Sequence, residues 1–193
     1  MSDQPLDQGR QLRTPVRRAG CAPPPMAVPR GATLEAVPHL YTRDELLAER
    51  MRWKQEHKTV VFTNGCYDLL HPGHIHLLEQ ARSLGDVLIV GLNTDAGVRR
   101  AKGSSRPLTP QQDRAGLLLA LAAVDGVVLF DEETPRELIA ALLPDILVKG
   151  VDWSHFIAGR EEVEAAGGHV AAISLEPGYS TTGIVEEILT RKL

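Results

Sequence analysis

Four short segments of this chain are apolar almost throughout, with no polar alternate face. They are Thr59-Val-Val-Phe-Thr63, Val87-Leu-Ile-Val-Gly-Leu92, Val127-Val-Leu-Phe130 and Asp145-Ile-Leu-Val148. A strand of that kind is covered on both faces, which is the situation in a parallel sheet rather than in an antiparallel sheet open to water. The intervening stretches read as helices. His74 to Leu84 places Ile75, Leu78 and Ala81 on one face and ends at Gly85. Thr109-Pro-Gln-Gln112 and Thr134-Pro-Arg-Glu137 have capping-box spacing with proline at the first helical position, and predict helices running to about Ala123 and to Leu142. A short helix through Val163, a fifth strand at His169–Ser174 and a final helix from about Thr181 complete the pattern. Strand–helix alternation with right-handed crossovers gives an α/β, doubly wound, Rossmann-like fold around a parallel five-stranded sheet. Ligands in such sheets bind beyond the carboxyl ends of the strands. Function is therefore expected in the loops after Phe62, Leu92, Phe130, Val148 and Ser174.

Length and charge narrow the classes. At 193 residues the chain suits one domain with an appendage. The formal net charge of −4 gives no bulk attraction to nucleic acid or anionic membrane, so neither is expected as a partner. Two cysteines, Cys21 and Cys66, make no disulfide framework, and no apolar run has spanning or signal-peptide character. A cytoplasmic protein is expected. Residues 1–38 hold seven of the 13 prolines and five arginines against three acids, a net of +2 that leaves −6 for the rest. They show no sustained apolar period. Residues 1–40 are read as a disordered basic, proline-rich tail, residues 41–57 as an N-terminal helix and residues 58–193 as the functional domain. Thr42-Arg-Asp-Glu45 has capping-box spacing, with Leu46, Leu47, Met51 and Trp53 as the expected apolar face of that helix.

The first candidate loop runs Thr63-Asn-Gly-Cys-Tyr-Asp-Leu-Leu-His71-Pro-Gly-His74. It lacks the G-x-G-x-x-G spacing of dinucleotide folds, and no P-loop motif occurs in the chain. It carries two histidines separated by Pro72 and Gly73 at a strand-to-helix junction. Free N–H groups and the positive dipole end suit that junction to phosphate. Two imidazoles there can donate to phosphoryl oxygens as charge grows on them. A metal site is a weaker reading: His76 points away from His74 on a helix, and no cysteine or carboxylate cluster completes a ligand set. A Cys66 nucleophile is disfavoured because no third orienting group is visible. Lys102, in the basic stretch Arg99-Arg-Ala-Lys-Gly103 read as a loop, is suited to clamp phosphates, and Lys149 ends the fourth strand where an anionic substrate would lie. Asp68 reads as a buried turn acid accepting backbone N–H bonds. Ser180-Thr181-Thr182 reads as a helix cap whose hydroxyls also suit phosphate.

His-x-Gly-His after a first parallel strand resembles the nucleotidyltransferase superfamily of cytidylyltransferases and class I aminoacyl-tRNA synthetases. Residues 63–71, Gly-Leu-Asn-Thr-Asp (91–95), Lys-Gly-Ser-Ser-Arg-Pro (102–107), Leu-Val-Lys-Gly-Val-Asp-Trp (147–153) and Gly-Tyr-Ser-Thr-Thr (178–182) together resemble the bacterial D-glycero-β-D-manno-heptose 1-phosphate adenylyltransferases. Two positions depart from that pattern: Tyr67 stands where phenylalanine is commoner, and Val151 where glycine often precedes Asp-Tyr or Asp-Trp.

The resemblance implies AMP transfer from ATP to a heptose 1-phosphate, with ADP-heptose for lipopolysaccharide core or a related glycoconjugate as product. It implies His71, His74 and Lys102 as catalytic residues. Thr63, Asn64, Gly65, Cys66, Tyr67, Gly73, Arg114, Lys149, Gly150, Ser180, Thr181 and Thr182 are then expected around the nucleotide, with Arg114 either reaching phosphates or stabilising the loop. Asp68, Asn93, Asp95, Asp152 and Trp153 are expected near the acceptor. Mg²⁺ is expected on the nucleotide phosphates, with no metal held by protein ligands alone. A homodimer is expected, and the short stretch ahead of the first strand implies that the sugar kinase fused to some relatives acts from another chain. The competing readings are CTP-dependent transfer to glycerol 3-phosphate or another alcohol phosphate, and a non-catalytic nucleotide-binding protein.

Overall fold

A computed structural model describes residues 38–150, 157–174 and 178–191. The strands are β1 (His39–Tyr41), β2 (Val60–Gly65), β3 (Val87–Asn93), β4 (Gly126–Phe130), β5 (Ile146–Gly150) and β6 (His169–Ile173). The helices are α1 (Arg43–Gln55), α2 (Pro72–Arg82), α3 (Asp95–Lys102), α4 (Gln111–Leu119), α5 (Arg136–Leu142), α6 (Arg160–Ala165) and α7 (Thr181–Thr190). All strand pairs are parallel and the sheet order is β1-β4-β3-β2-β5-β6. The chain winds from β2 through β3 to β4, then returns to the other side of β2 for β5 and β6. The winding therefore reverses between β2 and β5, and the crevice at their carboxyl ends is where a ligand is expected.

Alternate residues of the central strands feed two cores. Val60 and Phe62 of β2 and Ile89 of β3 pack with Leu46 and Trp53 of α1, Leu138 and Leu142 of α5 and Val163 of α6. Val61, Leu88 and Val90 face the other way, onto Leu77, Leu78 and Ala81 of α2 and Ala115 and Leu118 of α4. Both faces are thus covered, as the unbroken apolar strands require.

The doubly wound α/β reading holds, with a sixth strand added. β1 lies at the edge, in a stretch assigned partly to the tail, and pairs His39–Tyr41 with Gly126–Val128. Three residues carry too little pattern to reveal a strand in sequence. Its place is fixed by packing: the Tyr41 ring occupies the space beside Gly126, where an added Cβ would lie 2.5 Å from the ring, and meets Trp53 edge-on at 6.2 Å between centroids.

The capping box at Thr42 forms as expected, with the Thr42 side chain accepting from the Glu45 N–H and the Glu45 carboxylate accepting from the Thr42 N–H. The buried face of α1 differs from expectation. Met51 is exposed and Arg50 is buried with Leu46 and Trp53. The Arg50 guanidinium donates to the carbonyls of Leu142 (3.3 Å) and Leu143 (2.8 Å) and pairs with Asp145 at 2.9 Å. It thereby satisfies the last carbonyls of α5, where Leu143 turns into the left-handed region at φ 45°.

The basic stretch read as a loop is instead the helix α3, N-capped by Thr94 through the Gly97 N–H at 3.0 Å. Neither Thr-Pro capping box forms. The caps of α4 and α5 are Pro110 and Pro135, without side-chain cap bonds. At Thr109 the reason is tertiary: its N–H donates to Asp68 and its carbonyl accepts from Arg114, so the helix starts later.

Candidate active site

The loop from β2 to α2 delivers the histidine pair. His71 is the N-cap of α2 in extended backbone (φ −142°, ψ 165°), with Pro72 in the first helical position. Its Nδ1 accepts the His74 N–H at 3.3 Å. In the neutral ring that assigns the proton to Nε2, which is left as a donor. The two imidazoles stack at 3.8 Å between centroids, 17° from parallel. Gly73 sits in a tight space: an added Cβ would lie 3.2 Å from the His71 ring and 3.3 Å from the Tyr179 Cβ, so those neighbours would have to give way.

His74 sits deeper. Its ring lies 5.0 Å from that of Tyr67, and its Nδ1 is buried without a hydrogen-bond partner among the described residues. Burial pushes its pKa down to about 4, helped by the neighbouring His71 and Lys102 and opposed by the Leu69 carbonyl. Burial also lowers His71. Burial thus disfavours the charged form of both rings. The buried nitrogen and the Gly73 N–H at the start of α2 together make a polar spot suited to an anion.

Tyr67 adopts left-handed backbone at φ 45° and folds its ring over Gly65, whose added Cβ would be 3.1 Å from that ring. The phenol is buried and its pKa is pushed up by that burial. Thr63 is also buried, in β2. Cys66 is half-buried, its Sγ 3.7 Å from Asn93 Oδ1, and burial raises its thiol pKa, which is opposite to what an activated nucleophile needs. At the β2–β5 crevice the Lys149 ammonium donates to Asn64 Oδ1, with Gly150 buried next to it.

Two of the expected site residues, Arg114 and Asp68, are engaged by the protein itself. Arg114 is fully buried, donating to the carbonyls of Thr109 (2.9 Å), Cys66 (2.6 Å) and Asn93 (2.9 Å) and pairing with Asp95 at 2.7 Å. It braces three loops, which fits the loop-stabilising alternative. Asp68 is 3% exposed. Its carboxylate takes the N–H groups of Leu108 and Thr109 and the Arg106 guanidinium, the backbone-accepting turn acid read from its position. Burial alone would raise its pKa, but the Thr109 N–H, Arg106 and the Leu108 N–H outweigh that and hold the carboxyl below its usual range.

Lys102 is exposed at the end of α3, followed by Gly103 at φ 93°. Ser180 caps α7 by accepting the Gly183 N–H at 2.9 Å, and Thr181 Oγ1 reaches the Leu69 carbonyl at 3.5 Å, so the start of α7 borders the histidine loop. Thr182 is exposed there. Tyr179, to which sequence reasoning gave no role, stands 6.4 Å from His71 between ring centroids, 16° from parallel. The Gly-Tyr-Ser-Thr-Thr motif was its only signal. Asp152 and Trp153 lie outside the described residues. In the loop after β4, Asp131 takes the Thr94 hydroxyl and pairs with Arg100, supporting α3.

No group of three or more His, Cys, Asp or Glu able to hold a metal occurs among the described residues. Among the same residues no helix is long and apolar enough to cross a membrane.

Comparison with known proteins agrees with this geometry. The cytidylyltransferase-like family matches residues 62–187. The chain is 51% identical over 160 residues to the bifunctional protein HldE of Koribacter versatilis, covering 80% of this chain and 33% of that one. It is 56% identical over 150 residues to the bifunctional protein HldE of Syntrophotalea carbinolica, covering 77% of this chain and 30% of that one. The chain thus spans about a third of the length of these relatives. Among solved structures, the lipopolysaccharide core biosynthesis protein of Thermoplasma volcanium superposes with a TM-score of 0.51 at 27% identity, over 62% of this chain and 97% of that one. Pantoate-beta-alanine ligase of Francisella tularensis shares the fold, with a TM-score of 0.55 at 14% identity over 81% of this chain and 80% of that one. With the paired histidines at the start of α2 and the match over both halves of the sheet, the chain belongs to the cytidylyltransferase-like family of nucleotidyltransferases.

Proposed function

We propose that this domain transfers AMP from ATP to D-glycero-β-D-manno-heptose 1-phosphate, releasing pyrophosphate and ADP-heptose. The observation that carries the chemistry is the stacked His71–His74 pair at the α2 N-terminus, with a buried, unpartnered His74 Nδ1. The choice of substrates is supported by relatives whose names are bifunctional protein HldE and lipopolysaccharide core biosynthesis protein.

An oxygen of the sugar phosphate attacks the α-phosphorus in line, and the bond from that phosphorus to the β-bridging oxygen breaks. The nucleophile is already an anion, so no general base and no covalent enzyme intermediate are needed. Catalysis is positioning plus stabilisation of charge on the equatorial oxygens. His71 supplies an Nε2–H donor, the start of α2 supplies the Gly73 N–H, and Lys102 supplies full positive charge. Lys149, oriented by Asn64 at the crevice, borders the same space. Mg²⁺ bound to the nucleotide would neutralise its β- and γ-phosphates, taking its ligands mainly from phosphate and water. The acceptor's anomeric phosphate must come from a kinase reaction, and the domain works as a homodimer in the cytoplasm, which sedimentation and fractionation would check.

The test is pyrophosphate release with ATP or CTP against heptose 1-phosphate, mannose 1-phosphate and glycerol 3-phosphate. ATP with the heptose phosphate is expected to be fastest; preference for CTP would overturn the assignment. His74→Ala is expected to lower kcat by roughly two to three orders of magnitude with the fold intact, as for other lost transition-state donors. Near-normal turnover in that variant would remove the histidine pair from the mechanism.

A further inference from the structure

Asp68 lies three residues before His71, in the loop that carries the histidine pair. Its donors all come from one distant stretch. Oδ2 accepts from Arg106 at 2.6 Å, while Oδ1 accepts the N–H groups of Leu108 at 2.7 Å and Thr109 at 3.0 Å. The stretch begins one turn beyond Lys102, because the Arg106 N–H closes on the Gly103 carbonyl at 3.1 Å. Arg114 makes a second tie between the same two segments, donating to Thr109 O and Cys66 O.

The near end of α3 has its own anchors, the Thr94 cap and the Arg100–Asp131 pair. The far end, with Lys102, closes through the Gly103 N–H on the Arg99 carbonyl at 3.0 Å and runs into the exposed Gly103-Ser104-Ser105, where Gly103 has a positive φ and open space around it. An exposed lysine at a loosely held helix end samples many positions, and a phosphate that uses it must offset that freedom. A buried carboxylate taking two main-chain N–H groups and a guanidinium is a strong anchor against such motion.

We propose that Asp68 is a positioning residue for phosphate binding: by clamping residues 106–109 to the histidine loop it fixes Lys102 on the triphosphate side of the site. Asp68 touches no substrate and acts through Lys102. The assignment rests on the nucleotidyl-transfer reading of the site. A carboxylate is needed because Asn keeps one acceptor oxygen but turns an amide N–H₂ toward donors and loses the charge that holds Arg106.

The experiment is a double-mutant cycle in the full chain with Asp68→Asn, Lys102→Met and the pair. ATP affinity is read by calorimetry without acceptor, alongside tryptic cleavage after Lys102 and urea unfolding. Asp68→Asn is expected to weaken ATP binding roughly tenfold, the scale of a lost charge-assisted anchor, and to speed cleavage at Lys102. In the Lys102→Met background the same change is expected to alter ATP affinity by less than about twofold. A tenfold loss in both backgrounds would show that Asp68 acts elsewhere and overturn the proposal, as would unchanged affinity and cleavage in Asp68→Asn. If Asp68→Asn does not fold, Arg106→Gln removes half of the clamp and is read by the same cycle. A wild-type chain that binds no ATP would defeat the nucleotidyl-transfer reading, whereas the cleavage comparison would still decide whether Asp68 holds the Lys102 segment.

Discussion

At the scale of single residues, burial of the histidine pair sets its charge. His74 has a folded pKa of about 4, below the ordinary value near 6.5, chiefly through burial. Between those values the unfolded chain binds more protons than the fold, so stability falls as pH drops through that window and is fully retained above it. His74→Gln is expected to flatten the loss between pH 7 and pH 5 by an amount on the order of 1 kcal/mol, read from urea midpoints at the two pH values. The His74 ring proton shifts should titrate well below 6.5 in the free protein, and pyrophosphate should raise that midpoint because a bound anion favours the imidazolium. A midpoint near 6.5 without ligand would mean that the ring is not desolvated. Sequence made the histidine pair legible because its chemistry is written in four consecutive residues. It could not show that Arg114 is spent on carbonyls from three other segments, because those contacts exist only after the chain has folded.

At the scale of elements, legibility tracks periodicity. The four long apolar strands and α2 were readable because one face or both are continuously apolar. α3 was not: Asp95-Ala-Gly-Val-Arg-Arg-Ala-Lys102 has Val98 and Gly97 as its only buried residues, too few for a period, and the cap at Thr94 is all that marks it. In α1 the capping box forms but the buried face departs from the apolar pattern, since Arg50 occupies the position between Leu46 and Trp53. Its charge is buried against Asp145 and the end of α5, so Arg50→Met is expected to cost about 2–4 kcal/mol in urea unfolding by leaving those carbonyls and the carboxylate with a lost partner. α1 lies on the side of the sheet opposite α2, so kcat at a temperature where the variant is folded should stay within about twofold of wild type. A stability change under 1 kcal/mol would show that solvent already satisfies the end of α5.

At the scale of the whole molecule, the sheet grows outward from β2, where the site lies, and its two edges are finished differently. β6 closes one edge with a strand of five residues; β1 closes the other with three. Those three residues cover the main-chain edge of β4 and place Tyr41 over Gly126, beside Trp53 of α1. An uncovered β4 would offer unpaired N–H and C=O groups from an apolar Val-Val-Leu-Phe strand, a template for association with other chains. A chain beginning at Pro38 is therefore expected to remain dispersed and to keep its unfolding transition, whereas one beginning at Thr42 loses the pairing and the Tyr41 ring together. The shorter chain should unfold several degrees lower, the shift that roughly 1–2 kcal/mol gives in a domain of this size, and should scatter light on warming. Equal midpoints for the two chains would mean that β1 contributes no stability to the sheet. Tyr41→Ala in the longer chain separates the two contributions, because it removes the ring while leaving the main-chain pairing with Gly126–Val128 in place.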